Sequence, residues 1–507
     1  MAWRPRLDLS AVPTALVVAA AAIYASVIPM VIFGMSKLYS IPLVVGTVFP
    51  LVLYASRNPR LFFLVGMIFT SQLSLSINFR GTTHMGGTHA FSISLMDFFL
   101  VPLIVFLARD FYRGYRRDFV FSPVSLWWLG LVAIGCYTVV MGPFREMALK
   151  EVVSMVKNWV LFLVIVNECV RERHFHYAVM ALAANVALNV AIAFMQFLLK
   201  RDLGLQALGE ASPESTMGAN YGVYGSLDAV YRVGGLAGHA NLLSAYLAMV
   251  LPILVGQMYT GYRWPVKTMF AVLAAAGVAA LGMTLSRSGW VSFAVSISML
   301  MLALVALPGI RMRHIALKVA MVAAMVGAAI AGSGPVLRRF FQSDTGATDF
   351  RLEWIKVAWD MVVDKPVFGF GLNSFVYHLG EYGPYSTARM YELFGDMLPA
   401  VHNTYMLVWS EQGTVGLALF LGLHAHLFWI AIKSIRHFGL SEKVSMVSLA
   451  AACGILAILV DGLSSFYVRI HAPARTFWVV AGLLVAAYHW NVRNDRLRRE
   501  AARARVS

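Results

Sequence analysis

Apolar stretches of about twenty residues recur along the whole chain, and each is long enough as a helix to cross the ~30 Å hydrocarbon core of a bilayer. They start near Val12, Ile41, Leu61, Phe91, Val124, Val152, Tyr177, Leu236, Thr268, Trp290, Ile315, Thr404, Val444 and Thr476, which makes about 14 candidate transmembrane helices. Of the 507 residues, 59% are hydrophobic and 13% charged, about half the charged share of a soluble domain. A water-soluble fold is excluded, and the expected class is an all-α polytopic membrane protein. Gly34, Met35, Ser36 and Lys37 alone separate the first two runs, a tight helical hairpin without a small-residue cleavage site, so no cleaved signal peptide is expected. Cys136, Cys169 and Cys453 each lie in or beside an apolar run and form neither a disulfide framework nor a CxxC pair.

The formal charge of +16 would suit nucleic acid in a soluble protein, but in a membrane chain basic loops set orientation. With 14 spans, one face collects Arg4, Arg6, Arg57, Arg60, Arg109, Arg113, Arg116, Arg117, Arg171, Arg173, Arg263, Lys267, Arg311, Arg313, Lys318, Lys433, Arg436, Lys443 and the tail 493–505. That face holds 24 of the 41 basic residues and 8 acidic ones, which leaves the opposite face near neutral. The rule makes the basic face cytoplasmic, with both termini there and the other face in the periplasm of a bacterial inner membrane. The charge is topogenic, membrane lipids are among the expected partners, and no nucleic-acid partner is implied.

The long connections fall on the periplasmic side: 78–90, 200–235 and above all 334–402. This divides the chain into N-terminal helices (1–235, including the loop 200–235), a core (236–432, including the loop 334–402), C-terminal helices (433–490) and a basic cytoplasmic tail (491–507). Long loops of this kind usually carry lids or binding surfaces. Within the largest, Phe350, Trp354, Ala358, Met361 and Val362 share one face at helical spacing, Asp349 is placed to cap the start, and Pro366 to stop it. Two readings stand equal: an amphipathic helix at the membrane surface with Trp354 and Trp359 at headgroup depth, or a helix packed on top of the bundle.

Charged or imidazole side chains near membrane depth need a partner or a function. The periplasmic candidates are Arg232, His239, Arg287, Arg351, Arg389, His402, Glu411, Asp461 and Arg469. Arg287 sits in a short turn, Leu285-Ser286-Arg287-Ser288-Gly289, where the small neighbours admit an anion; otherwise it snorkels to lipid phosphate. Arg232 precedes Gly234-Gly235-Leu236-Ala237-Gly238-His239-Ala240-Asn241, glycines that suit either an anion at a helix start or close helix packing. His239 and Asn241 at such a start are caps more often than ligands. His402 and Asn403 open another helix, and an imidazole there is a natural proton acceptor for a hydroxyl. Several arginines and one histidine, without carboxylates at metal-ligand spacing, match transfer from a diphosphate leaving group without a metal or other cofactor.

These motifs resemble the O-antigen ligase and Wzy-type polymerase superfamily of bacterial envelope glycan assembly. The resemblance rests on Gly235 to Asn241 with Pro252 beyond it, on Ser286-Arg287-Ser288-Gly289, on 351–359 followed by Pro366-Val367-Phe368-Gly369-Phe370-Gly371, and on His402-Asn403 with Gly413 and Gly416 at the ligase spacing. It covers about 232–416. It implies a metal-independent inverting glycosyltransferase that takes a glycan from undecaprenyl diphosphate on the periplasmic side. By the same resemblance His402 is the general base, Arg287 and Arg232 bind the diphosphate, and Arg351 assists donor or glycan binding, with Asn403, His239 and Asn241 beside them. Trp354, Tyr382, Tyr385 and Tyr391 are placed to stack on sugars or to pack the loop. The acceptor would be lipid A-core for a ligase, or a lipid-linked repeat unit for a polymerase of O-antigen or exopolysaccharide; the long loop and two spans beyond the usual ligase twelve keep the polymerase open. A transporter or flippase of lipid-linked sugars is the rival class, motivated by Asp97 and Asp461 within spans.

Overall fold

A computed structural model describes residues 58–82, 86–115, 118–210, 231–306, 345–383, 400–435, 442–466 and 469–504. The runs expected from Val12, Ile41 and Ile315, and with them Tyr385, Arg389 and Tyr391, lie outside these residues.

The described chain is mostly helical: α1 Pro59–Thr70, α2 Leu95–Tyr112, α3 Val124–Met141, α4 Arg145–Glu168, α5 Glu172–Leu199, α6 Ala240–Gln257, α7 Trp264–Met283, α8 Arg287–Ala306, α9 Thr345–Asp364, α10 Thr404–Ile435, α11 Glu442–Asp461 and α12 His471–Arg503. Seven of them, α3, α5, α6, α7, α8, α10 and α11, are long and apolar enough to cross a membrane. Centre and periphery separate by burial. In α6 and α11, which pack on each other, 89% and 83% of the span is buried, against 33% in α7 and 39% in α10. Peripheral spans turn apolar faces outward, as a lipid-facing helix does.

One short antiparallel hairpin joins α1 to α2, β1 (Ser76–Phe79) with β2 (Phe91–Ser94), in register Ser76 to Ser94 and Phe79 to Phe91. The run expected to begin as a helix at Phe91 is therefore corrected to a strand followed by a helix from Leu95. Phe91-Ser92-Ile93-Ser94 alternates with the period of a strand, and the Asp97 carboxylate then accepts the Ser94 N–H at 2.7 Å to start the helix.

Polar groups gather at two ends of the bundle. At one, Arg60 lies between Glu168, at 2.5 Å, and Asp110, and Lys443 pairs with Glu172 at 4.0 Å. At the other, a second core sits on the spans, formed by Trp354, Val357, Ala358 and Met361 of α9 with Phe370, Phe375, Leu379, Val401, Leu407 and Phe466. Trp354 is 2% exposed, so this helix is packed on the bundle top and its Trp354 is not at headgroup depth. Trp359 is exposed and meets Trp409 edge-on at 5.6 Å. The helix also starts four residues before Asp349, which is thus inside it and not its cap.

The segment from Pro366 to Gly371 locks this cap to α10. Gly413 interrupts α10 with φ 66°, and the opened turn accepts the Phe370 and Gly371 N–H groups at the Ser410 and Glu411 carbonyls, while Thr414 N–H donates to Pro366 O at 2.7 Å. A Cβ on Gly413 would come within 2.2 Å of the Val367 carbonyl oxygen. Inside the crossing, Glu411 is fully buried against Arg469 and accepts the N–H groups of Asn373 and Phe375 at 2.8 and 3.0 Å.

Candidate active site

Three helix starts come together beneath this cap. Arg287 is the first residue of α8, His239 precedes α6, and His402 and Asn403 precede α10. Each start is held by its neighbours. The turn before α8 places Leu285 at φ 51°, a left-handed conformation that leucine rarely adopts, and turns the Thr284 carbonyl toward Arg232, whose Nε donates to it at 2.9 Å. Arg232 also donates to Asn241 Oδ1 at 2.5 Å, so one buried guanidinium ties the start of α6 to the turn before α8. A Cβ on Gly289 would lie 2.5 Å from Ser244 of α6; the glycine of Ser-Arg-Ser-Gly thus serves helix packing.

The start of α10 is fastened to the end of α11. Thr404 N–H donates to Gly462 O at 2.8 Å, Asn403 Nδ2 to Leu463 O at 3.0 Å, and Thr404 Oγ1 to Ser465 O at 2.8 Å. Asn403 Oδ1 accepts the Met406 N–H at 2.9 Å, so this side chain is spent on positioning. Asp461, fully buried, accepts from Ser465 Oγ at 2.6 Å, and the Ser288 hydroxyl lies against it. Arg351 is near enough to both Asp461 and His402 for its charge to act on them.

The two histidines carry opposite tautomers, each assigned from its hydrogen bond. His402 Nδ1 faces the Ala400 carbonyl at 3.0 Å, an acceptor only, so Nδ1 holds the proton and Nε2 keeps a lone pair. His239 Nδ1 accepts the Asn241 N–H at 3.0 Å, so its proton is on Nε2. Burial, followed by the Arg351 charge, pushes His402 down to about 4, and the Ala400 carbonyl works weakly against this. Burial, then Arg232 and then His402 itself, push His239 down to about 4. Both rings are neutral at pH 7, one a base and the other a donor.

The structure thus brings Arg232, His239, Asn241, Arg287, Arg351, His402 and Asn403 to one end of the bundle. The glycine-rich run before α6 offers less than its composition suggests: Gln196 Oε1 takes the N–H groups of Gly234 and Gly235, and Asn189 Oδ1 that of Leu236. Glu411 and Arg469 pair with each other. Asp461 belongs to the cluster although its sequence setting pointed to a transport path; a carboxylate closing an apolar run was the available signal. Trp354 is unavailable to a sugar, and the Tyr382 hydroxyl donates to Asp364 at 2.5 Å.

Residues 269–421 match the family model described as O-Antigen ligase. This part of the chain is similar to O-antigen ligases. It contains Arg287, Arg351, His402, Asn403, Gly413 and Gly416, whereas Arg232, His239, Asn241 and Asp461 lie outside it in sequence and reach it through the contacts above. The match and the seven long apolar helices together suit a multi-pass membrane protein. No curated protein matches the chain significantly.

Proposed function

We propose that this end of the bundle is the active site of an inverting, metal-independent glycosyltransferase, which moves a glycan from undecaprenyl diphosphate to an acceptor sugar hydroxyl at the periplasmic face of the bacterial inner membrane. The observation that carries the reading is the convergence of three helix N-termini and three arginines on a histidine whose Nε2 is left as a proton acceptor. Helix starts and guanidinium forks both favour anions. In this reading Arg232 and Arg287 hold the diphosphate, with the His239 Nε2–H as a further donor, and Arg351 contacts the donor glycan. His402 Nε2 takes the proton of the acceptor hydroxyl as its oxygen bonds to the anomeric carbon. The bond from that carbon to the diphosphate oxygen breaks, and the lipid diphosphate leaves with the electron pair against the arginines. Attack opposite the leaving group inverts the anomeric centre. Asn241 and Asn403 hold Arg232 and His402 in place.

The transporter reading is the weaker one. Asp97 caps α2 and pairs with Lys157 at 2.6 Å, and Asp461 is engaged by two serines, so both carboxylates that motivated it have local duties.

The test is transfer in proteoliposomes that hold the full chain and an undecaprenyl diphosphate-linked glycan, with lipid A-core or a second lipid-linked repeat as acceptor. His402→Ala should lower transfer by about 10²–10⁴-fold, the usual contribution of a positioned base, with helical circular dichroism unchanged. Undiminished transfer in that variant refutes the mechanism, and the acceptor that is used separates ligase from polymerase.

A further inference from the structure

A second polar cleft lies away from the His402 cluster, between α4, β2 and the start of α12. It is open to solvent and is lined by Ser92, Lys150, Ser154, Lys157, Asn158, His471 and Arg475 among others. Lys150, Ser154, Lys157 and Asn158 lie on one face of α4 at spacings of three and four. The lining side chains offer donors and hold no carboxylate. Arg475 is 4% exposed and hangs from the Ser71 and Leu73 carbonyls at 3.1 and 2.9 Å; among the described residues no carboxylate forms an ion pair with it. Asn158 is 7% exposed, and its amide makes no hydrogen bond among the described residues. The two lysines are compensated from the rim, Lys157 by Asp97 at 2.6 Å and Lys150 by Glu146 at 3.2 Å, so the lining is left with one guanidinium charge in excess.

Exposed apolar residues lie on the elements that form the mouth. Leu149, Val153 and Val156 of α4 and Ile93 of β2 are exposed apolar side chains beside it. A buried cation is costly unless a counter-charge meets it, and a single negative charge with several acceptor oxygens would satisfy Arg475, Asn158 and Ser154 together.

We propose that this cleft binds the phosphodiester headgroup of a membrane lipid, whose acyl chains lie against Leu149, Val153 and Ile93. The binding is independent of the glycosyl-transfer reading, and its test needs no activity. Full-length protein in detergent is titrated with phosphatidylglycerol, with a galactosyl diacylglycerol that lacks phosphate, and with soluble glycerol 3-phosphate, and bound molecules are counted by native mass spectrometry. Wild type should retain one phosphatidylglycerol that the galactolipid does not displace. Asn158→Leu and Ser154→Val, which leave Arg475 and its carbonyl partners intact, should each weaken that retention at least tenfold with melting temperature unchanged. Equal retention in both variants overturns the site. Tight binding of glycerol 3-phosphate that the lipid fails to displace overturns the lipid as its source.

Discussion

The two ends of the bundle treat arginine differently. Arg60 is wedged between the carboxylates of Asp110 and Glu168, whereas Arg232 is aimed by a backbone carbonyl and an amide, and Arg475 by two carbonyls. A carboxylate neutralises a guanidinium and closes it to other anions; a neutral oxygen orients the fork and leaves its charge in place. Arg60 thus serves as a clasp between α1, α2 and α4, and Arg475 keeps its charge for the anionic ligand proposed above. Arg469, paired with Glu411 under the cap, shows that the second end also uses a clasp where the chain has to be fixed.

Arg60→Met should break the comparison most strongly. It leaves the buried Glu168 without its counter-ion and Asp110 with Arg109 alone, a loss of about 3 kcal/mol by the cost of splitting a buried pair, read as a fall in melting temperature, while transfer per folded molecule stays unchanged. A wild-type melting temperature would deny the clasp.

Arg232→Met should do the reverse. Transfer falls by about 10²–10³-fold, the scale seen when one donor to a developing charge is removed, and kinetics at saturating donor measure it. Intact turnover would confine Arg232 to tying α6 to α8. A smaller effect is expected of Arg287→Lys, which keeps the charge and loses the fork: donor affinity should weaken about tenfold, and an unchanged dissociation constant would mean that the residue only reaches toward lipid phosphate.

The smallest effect concerns protons. In the proposed mechanism His402 acts as its neutral form, and with its pKa at about 4 the acid limb of the pH–rate profile should lie near 4, well below the ordinary 6.5 of histidine. Arg351→Gln removes one cause of that depression and should move the limb upward, short of 6.5 because burial remains. A wild-type limb at 6.5, or one that Arg351→Gln fails to move, contradicts the assigned environment.

Much of the architecture is legible without coordinates, because a span must bury its backbone polar groups within a helix and expose apolar side chains to lipid, and both demands are written locally. Every apolar run that falls in the described residues contains a helix, the one from Phe91 only after a short strand. Trp354 was not decidable in this way: an apolar stripe on α9 suits lipid and protein equally, and only the Phe370, Phe375 and Phe466 side chains facing it select protein. The motif from Pro366 to Gly371 was visible as a pattern, but its physical content, a strip of backbone hydrogen-bonded into a helix opened at Gly413, needs the partner segment. Asn158 gave no signal, since one asparagine in an apolar run looks the same whether it bonds to its own helix or faces a cleft.

By itself, then, the chain determined where helices form, that they belong in a membrane, and which arginines and histidines stand at helix starts, because hydropathy and helix termination are properties of neighbours in sequence. Only the tertiary structure decided which cations are neutralised and which are merely aimed, and which ring nitrogen of His402 and of His239 holds the proton. Charge partners and hydrogen-bond acceptors at Arg60, Arg232 and Arg475 come from segments up to hundreds of residues away, and no local pattern encodes which of them will meet.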